Sequence, residues 1–151
     1  MESSHEYEHT QSGTFVRVLL GVLAVTTGAP AMVVLAEGGG GGSIPLAIIA
    51  VMAVFLLALF HSLTVRVSRD EIAISFGMGL IRKHFEIRQI QSAAAVRNRW
   101  YNGWGIRKIV NGWLFNVSGW DAVEIHLENG RRYRIGTDEP EELLAAIESV
   151  I

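Results

Sequence analysis

Two uncharged apolar runs, Val18 to Ala36 and Ile44 to Phe60, are separated only by Glu37, five glycines and Ser43. As a helix the first run, at about 1.5 Å per residue, spans roughly 28 Å, close to the ~30 Å hydrocarbon core of a bilayer. The second run is shorter but denser in Leu, Ile, Val and Phe. At roughly −0.3 to −0.6 kcal/mol for each such residue it inserts on its own. Gly21, Thr26, Thr27, Gly28 and Pro30 weaken the first run. A spanning helix tolerates such residues where a neighbour re-satisfies the backbone, and Gly21 and Gly28 offer close helix approach. A helical pair in a soluble protein would carry a polar stripe at helical spacing, and neither run has one. A cleaved leader is the rival reading of the first run, because Arg17 precedes it. The run is long for a leader, and a second follows at once.

The expected organisation is therefore a disordered tail over 1–13, a transmembrane hairpin over 14–61, and a small domain over 62–151. The helices are expected at about 16–36 and 44–62, with an outer glycine loop at 37–43. Arg17 flanks the first run, and Arg66, Arg69, Arg82 and Lys83 follow the second, whereas the loop holds no Lys or Arg. The positive-inside rule then places both termini in the cytoplasm of a multi-pass plasma-membrane protein.

The chain has no cysteine, which excludes a disulfide framework, a thiolate nucleophile and a zinc–thiolate site. Its formal charge of −2 conceals a pattern. Seven basic residues and one acid lie between Arg82 and Lys108, and three basic residues and eight acids lie from Ile109 onward. For a domain tied to a membrane, anionic lipid head groups are a better counter-charge for the basic block than nucleic acid. His5-Glu6-Tyr7-Glu8-His9 holds metal-ligand types, but nothing preorganises it, and it reads as a solvated tail. No cofactor motif occurs: Gly77-Met78-Gly79 lacks the third glycine of a dinucleotide fingerprint.

Beyond Phe60 the apolar period changes to two. Leu63–Ser68, Ile72–Phe76 and Lys83–Arg88 read as strands, with Phe85 and Ile87 inward; Gln91–Val96 reads as a further, ambiguous one. A strand opens at Gly112, with Trp113, Phe115 and Val117 on one face. Asn129-Gly130 reads as a type I′ hairpin turn between Val123–Leu127 and Arg131–Ile135. On that hairpin Glu124 and Glu128 face Arg132 and Arg134, which suggests a solvated outer face of ion pairs rather than a pair of catalytic carboxylates. Asn116-Val117-Ser118 is a glycosylation sequon, silent in the cytoplasm. At the end, Asp138 and Glu141 suggest a capping box around Pro140, and Leu143, Leu144, Ile147, Val150 and Ile151 form the apolar stripe of a closing helix.

The segment from Asn98 to Lys108 packs Trp100, Tyr101 and Trp104 among Arg97, Arg99, Arg107 and Lys108, with Gly103 and Gly105 arguing for a loop. Three readings stand: aromatic plugs of a small barrel's end beside solvated cations, contact with a membrane interface, and single-stranded nucleic acid, the last least favoured. These seven residues are the candidate membrane or partner contact.

Gly103-Trp104-Gly105-Ile106-Arg107, Gly112-Trp113-Leu114-Phe115-Asn116-Val117, and the ending from Asn129-Gly130-Arg131 through Ile135-Gly136-Thr137-Asp138-Glu139-Pro140 to Leu143 resemble small bacterial membrane proteins with a pleckstrin-homology-like domain. The resemblance covers the hairpin and residues 62–151. It implies a mainly-β domain of about six or seven strands in two orthogonal antiparallel sheets, capped by the C-terminal helix. It also implies no catalysis. Eukaryotic relatives often bind phosphoinositides through basic residues at the first hairpin, which here offers only Arg66 and Arg69 beside Asp70 and Glu71. The expected function is a non-enzymatic, membrane-anchored interaction module that binds a protein partner, its own copies or anionic lipid. The alternatives are an enzyme built on His84, His126, Asp121 or Glu124, and a pore-forming homo-oligomer. No nucleophile or zinc-protease motif favours the first. No ionisable residue within the runs favours the second.

Overall fold

The computed structural model describes residues 7–151, so His5 and Glu6 lie outside the described residues. The first departure from expectation comes at once. Tyr7–Ser12 is a strand, β1, not a disordered tail. Helices α1 (Thr14–Ala36) and α2 (Ser43–Phe60) follow, and then strand β2 (Ser62–Val67). β1 pairs antiparallel with β2, with Tyr7 opposite Val67 and Ser12 opposite Ser62. The helical hairpin is thus the connection of a β-hairpin, inserted into the β unit rather than placed before it.

Both helices are long and apolar enough to cross a membrane, and their side chains are largely exposed. The hydroxyls of Thr26 and Thr27 donate back to carbonyls of Val22 and Leu23, so they need no outside partner. Small residues line the contact between the helices: Ala31 and Ala53 are buried, and a Cβ on Gly28 would sit 3.4 Å from that of Ala50. Gly21, by contrast, faces open space and makes no such approach.

The β unit has two sheets. The first runs β1-β2-β3-β4, with β3 at Glu71–Phe76 and β4 at Ile81–Glu86. The second runs β5-β8-β9-β7-β6. Its strands are β5 (Ile90–Arg97), β6 (Gly105–Ile109), β7 (Gly112–Asn116), β8 (Asp121–Leu127) and β9 (Arg132–Gly136). Residues 62–151 therefore hold eight strands where six or seven were expected, and β1 adds a ninth among the described residues. One pair, β7 with β9, is parallel. Leu63, Ile72, Ile74, Phe76, Val123, Ile125 and Ile135 fill the space between the sheets and are essentially inaccessible. Each such side chain contributes about 1.5–3 kcal/mol by leaving water.

Helix α3 (Pro140–Glu148) closes the core with Leu143 and Ile147. The expected capping box does not form. Glu139 is the residue before the helix and makes no side-chain cap bond, and Asp138 bonds His9 instead. Pro140 at the first turn and Thr137 Oγ1, which accepts from the Glu139 N–H, start the helix. Asn129 also differs from expectation. Among the described non-glycine residues only Asn111 has positive φ, so Asn129-Gly130 is not a type I′ turn. The Gly130 N–H bonds the Leu127 carbonyl and Gly130 alone takes positive φ, which lengthens the turn by a residue.

Candidate functional site at the base of the helical hairpin

Strand order decides which connections lie beside the helices. Because α2 feeds β2, the chain leaves the hairpin along β2 and returns along β3. Every second connection therefore comes back toward the hairpin's base, four in all, the last being Thr137 to Glu139, which leads into α3. The first is Gly77-Met78-Gly79-Leu80. Its Gly77 N–H bonds the Ser62 carbonyl, and a Cβ on Gly77 would fall on the carbonyl oxygens of Ala58 and Leu59 at the end of α2. The second is the segment from Asn98 to Trp104. The Trp104 ring stacks on Phe15, the second residue of α1, with centroids 4.0 Å apart. The third is Val117-Ser118-Gly119-Trp120, reached by the Gln11 amide at the end of β1 and by the Trp104 ring, 5.4 Å from that of Trp120.

These three connections share a chemistry. They contain three tryptophans, a tyrosine, Met78, Leu80 and Arg99, and no carboxylate. Met78, Leu80, Trp100 and Tyr101 are exposed, Trp100 by 78%. Phe15 is exposed on the adjoining helix turn. Cations stand around the rim. Arg17 Nε donates to the His61 carbonyl at 3.1 Å, Arg82 Nε to the Gly79 carbonyl at 2.7 Å, and Arg107 Nε to the Trp104 carbonyl at 3.2 Å. In each case a backbone carbonyl orients the guanidinium without neutralising it. Asp121 lies 3.9 Å from Arg97. The carboxylates that follow β9 are drawn onto β1, where Asp138 and Glu139 both meet the His9 ring.

The seven candidate residues do not form one cluster. Gly105–Lys108 belongs to strand β6 rather than to a loop. Trp104 stacks on the hairpin and Arg107 bonds its carbonyl, whereas Trp100 is exposed on the same connection. Arg97, Arg99, Tyr101 and Lys108 instead wall a cavity on the outer face of the second sheet. The floor of that face is also not the solvated surface expected. Glu124 is buried; its Oε2 accepts from Arg134 Nε at 2.6 Å and its Oε1 bonds His126 Nε2 at 2.8 Å. Arg134 Nη1 donates in turn to Asn98 Oδ1 at 3.3 Å. Burial alone would raise the Glu124 pKa, but the hydrogen bonds from Arg134 and His126 outweigh it and hold the carboxyl below its usual range. Of the four groups weighed for catalysis, only Glu124 and His126 touch; His84 pairs with Glu71, and Asp121 with Arg97.

Three contributors escaped the sequence reading: Phe15, the Met78–Leu80 turn and Trp120. The alternation of connections between the two ends of the unit was the available signal for the turn and for Trp120, and Phe15 opens the helix at that same end. Asn116 of the sequon is fully buried and bonds the backbone of its own turn at Ser118 and Gly119. Among the described residues no group of three or more His, Asp or Glu is placed to hold a metal ion. No family model matches the chain, and no curated protein matches it.

Proposed function

We propose that this chain is a non-catalytic interaction module of pleckstrin-homology-like architecture, anchored by two membrane spans at the inner face of the plasma membrane. Its rim at the hairpin's base contacts anionic lipid head groups. One observation carries the reading: three of the four connections at the hairpin end are aromatic, apolar or basic, and the fourth, Thr137 to Glu139, turns its carboxylates onto His9 of β1. Rings of this kind settle at head-group level, and each Lys or Arg near an anionic surface adds about 1 kcal/mol. Arg17 and Arg82 at the base, against a loop over 37–43 without Lys or Arg, support cytoplasmic termini. The architecture is supported by subtraction. Without the β6–β7 hairpin, seven strands remain, four in one sheet and β5-β8-β9 in the other, followed by α3. The apolar hairpin and the β6–β7 hairpin are then two insertions in that framework.

A fragment starting at Ser62 would lack β1, so the test uses the full chain in vesicles. With Trp100 as the only tryptophan, brominated phospholipid should quench its emission. Quenching should be stronger when the bromine is on an anionic lipid than on a zwitterionic one at equal bromine content. Arg17→Gln, Arg82→Gln and Arg107→Gln together should remove that difference. Equal quenching by both lipids in the unmodified protein would defeat the head-group reading.

A further inference from the structure

The cavity on the outer face of the second sheet has a volume of about 640 Å³, within the ~300–1,000 Å³ range of small-molecule sites. Five cations border it: Arg97 and Arg99 at the end of β5 and just beyond it, Arg132 and Arg134 on β9, and Lys108 on β6. One carboxylate, Glu124, lies on its floor, and both its oxygens are engaged by Arg134 and His126. The chain as a whole carries 13 Lys and Arg against 15 Asp and Glu, so average composition does not explain five cations around one acid.

We propose that this cavity binds a phosphorylated organic anion. Five cations less one carboxylate leave an excess of four positive charges; the Asp121 carboxylate, 3.9 Å from Arg97, offsets part of one. Two phosphoryl groups at about −1.5 to −2 each would balance the remainder, whereas a single carboxylate would not. Arginine forks match phosphoryl oxygens two at a time, and four of the five cations are arginines. Tyr101 adds a phenol already oriented by Arg99 Nη1 at 3.1 Å, and Asn102 adds an amide. Ile109 and Val110 make the remaining wall apolar, and Val110 is among the most exposed apolar side chains of the chain. That wall suits the carbon skeleton of an organic phosphate. The Glu124–Arg134–Asn98 chain fixes the floor to the roof, because Asn98 opens the segment that carries Arg99 and Tyr101. The cavity is thus built before any ligand arrives. It reaches from Arg99 at the hairpin end to Arg132 at the far end, so a phospholipid head group and a free phosphate ester both have access.

The experiment uses the full chain in two kinds of nanodisc and reads binding by calorimetry at low salt. Zwitterionic discs are titrated with inorganic pyrophosphate and with fructose 1,6-bisphosphate. Discs containing a phosphoinositide are read by competition with pyrophosphate. Saturable binding in zwitterionic discs, weakened at least tenfold by Lys108→Gln with Arg132→Gln, is expected for a free phosphate. Pyrophosphate binding that is suppressed when the discs carry the phosphoinositide, and weakened in both kinds of disc by the same variant, would assign the site to a head group. Lys108 and Arg132 lie away from the hairpin's base, so the pair leaves the rim's lipid contact intact. Conversely, Arg17→Gln with Arg82→Gln should leave pyrophosphate binding unchanged. Absence of binding in both kinds of disc, or binding indifferent to Lys108→Gln with Arg132→Gln, overturns the proposal.

Discussion

The two ends of the β unit are built from the same kind of connection and carry opposite chemistry. At the hairpin end the first three connections read Gly-Met-Gly-Leu, Asn-Arg-Trp-Tyr-Asn-Gly-Trp and Val-Ser-Gly-Trp, and the fourth, Thr-Asp-Glu, is drawn onto His9 of β1. At the far end they read Ser-Arg-Asp, Ile-Arg-Gln, Val-Asn and Glu-Asn-Gly-Arg. The far-end turns lie against one another: the Ile87 N–H bonds the Asp70 carbonyl, the Glu128 N–H that of Gln89, and the Arg132 N–H that of Asn111. They hold both signs of charge and one exposed tryptophan nearby, Trp113. Hydration explains the charged turns of the far end, where Val110 is the one exposed apolar side chain among the turn residues themselves. It does not explain exposed Met78, Leu80 and Trp100, whose placement costs free energy unless something apolar meets them.

The largest effect should come from removing the neighbour that distinguishes the ends. Ser12 and Ser62 face each other across β1 and β2, so replacing 13–61 by Asn-Gly closes an ordinary β-hairpin. The product should remain folded and leave the detergent phase entirely. Deleting residues 1–12 instead strips the edge strand and should cost several kcal/mol of stability. Detergent partitioning with circular dichroism checks both. A hairpin-less protein that fails to fold would show that the helices are part of the core rather than its anchor.

A second contrast pairs two glycines with positive φ. Gly77 at the hairpin end has α2 carbonyls where a Cβ would go, whereas Gly130 at the far end has nothing within 4 Å. Gly130→Ala meets only the left-handed strain of about 1–2 kcal/mol. Gly77→Ala adds a backbone clash and should cost about 3–4 kcal/mol, with helix and sheet forced apart. Denaturation midpoints in a common detergent compare them; equal losses would mean that the turn is not seated on the helix.

How much of this was written in the sequence depends on the range of the interaction. The helices were legible because length and composition alone define them. β1 was not, because Tyr-Glu-His-Thr-Gln-Ser offers one apolar residue, and its partners lie across the whole hairpin. The buried state of Glu124 was hidden for a similar reason. Strand alternation places it correctly on the outer face, but the roof comes from Asn98 and its neighbours, far along the chain. The seven aromatic and basic residues were recognised as unusual and grouped because they are contiguous. The structure divides them because β6 begins at Gly105, and a strand sends neighbouring side chains to opposite faces.

Tryptophan emission offers a gentler probe of the same contrast. In single-tryptophan variants, lipid-borne bromine should quench Trp104, fixed against Phe15, several times more than Trp113. Similar quenching would mean that the β unit lies along the membrane instead of standing off it.

The smallest effects are on pH, and the two ends separate there too. Glu124, bonded under the hairpin-end roof, has a folded pKa below the unfolded value of about 4.3. Its contribution is fully present above that value and is lost as pH falls through the depressed one, so Glu124→Gln should flatten the acid limb of stability. Tyr7, which starts β1 at the far end, shows the opposite sign. Burial first, and then the Glu139 carboxylate, push its phenol up to about 12. The unfolded phenol ionises near 10, so the folded state holds the proton longer. That contribution is complete below about pH 10 and disappears as pH rises toward the folded value. Tyr7→Phe should therefore leave neutral stability within about 0.5–1 kcal/mol, since its bond to Glu139 is long at 3.4 Å, and remove the steepening between about pH 10 and 12. An unchanged alkaline limb would place Tyr7 in water, and with it the first turn of the edge strand.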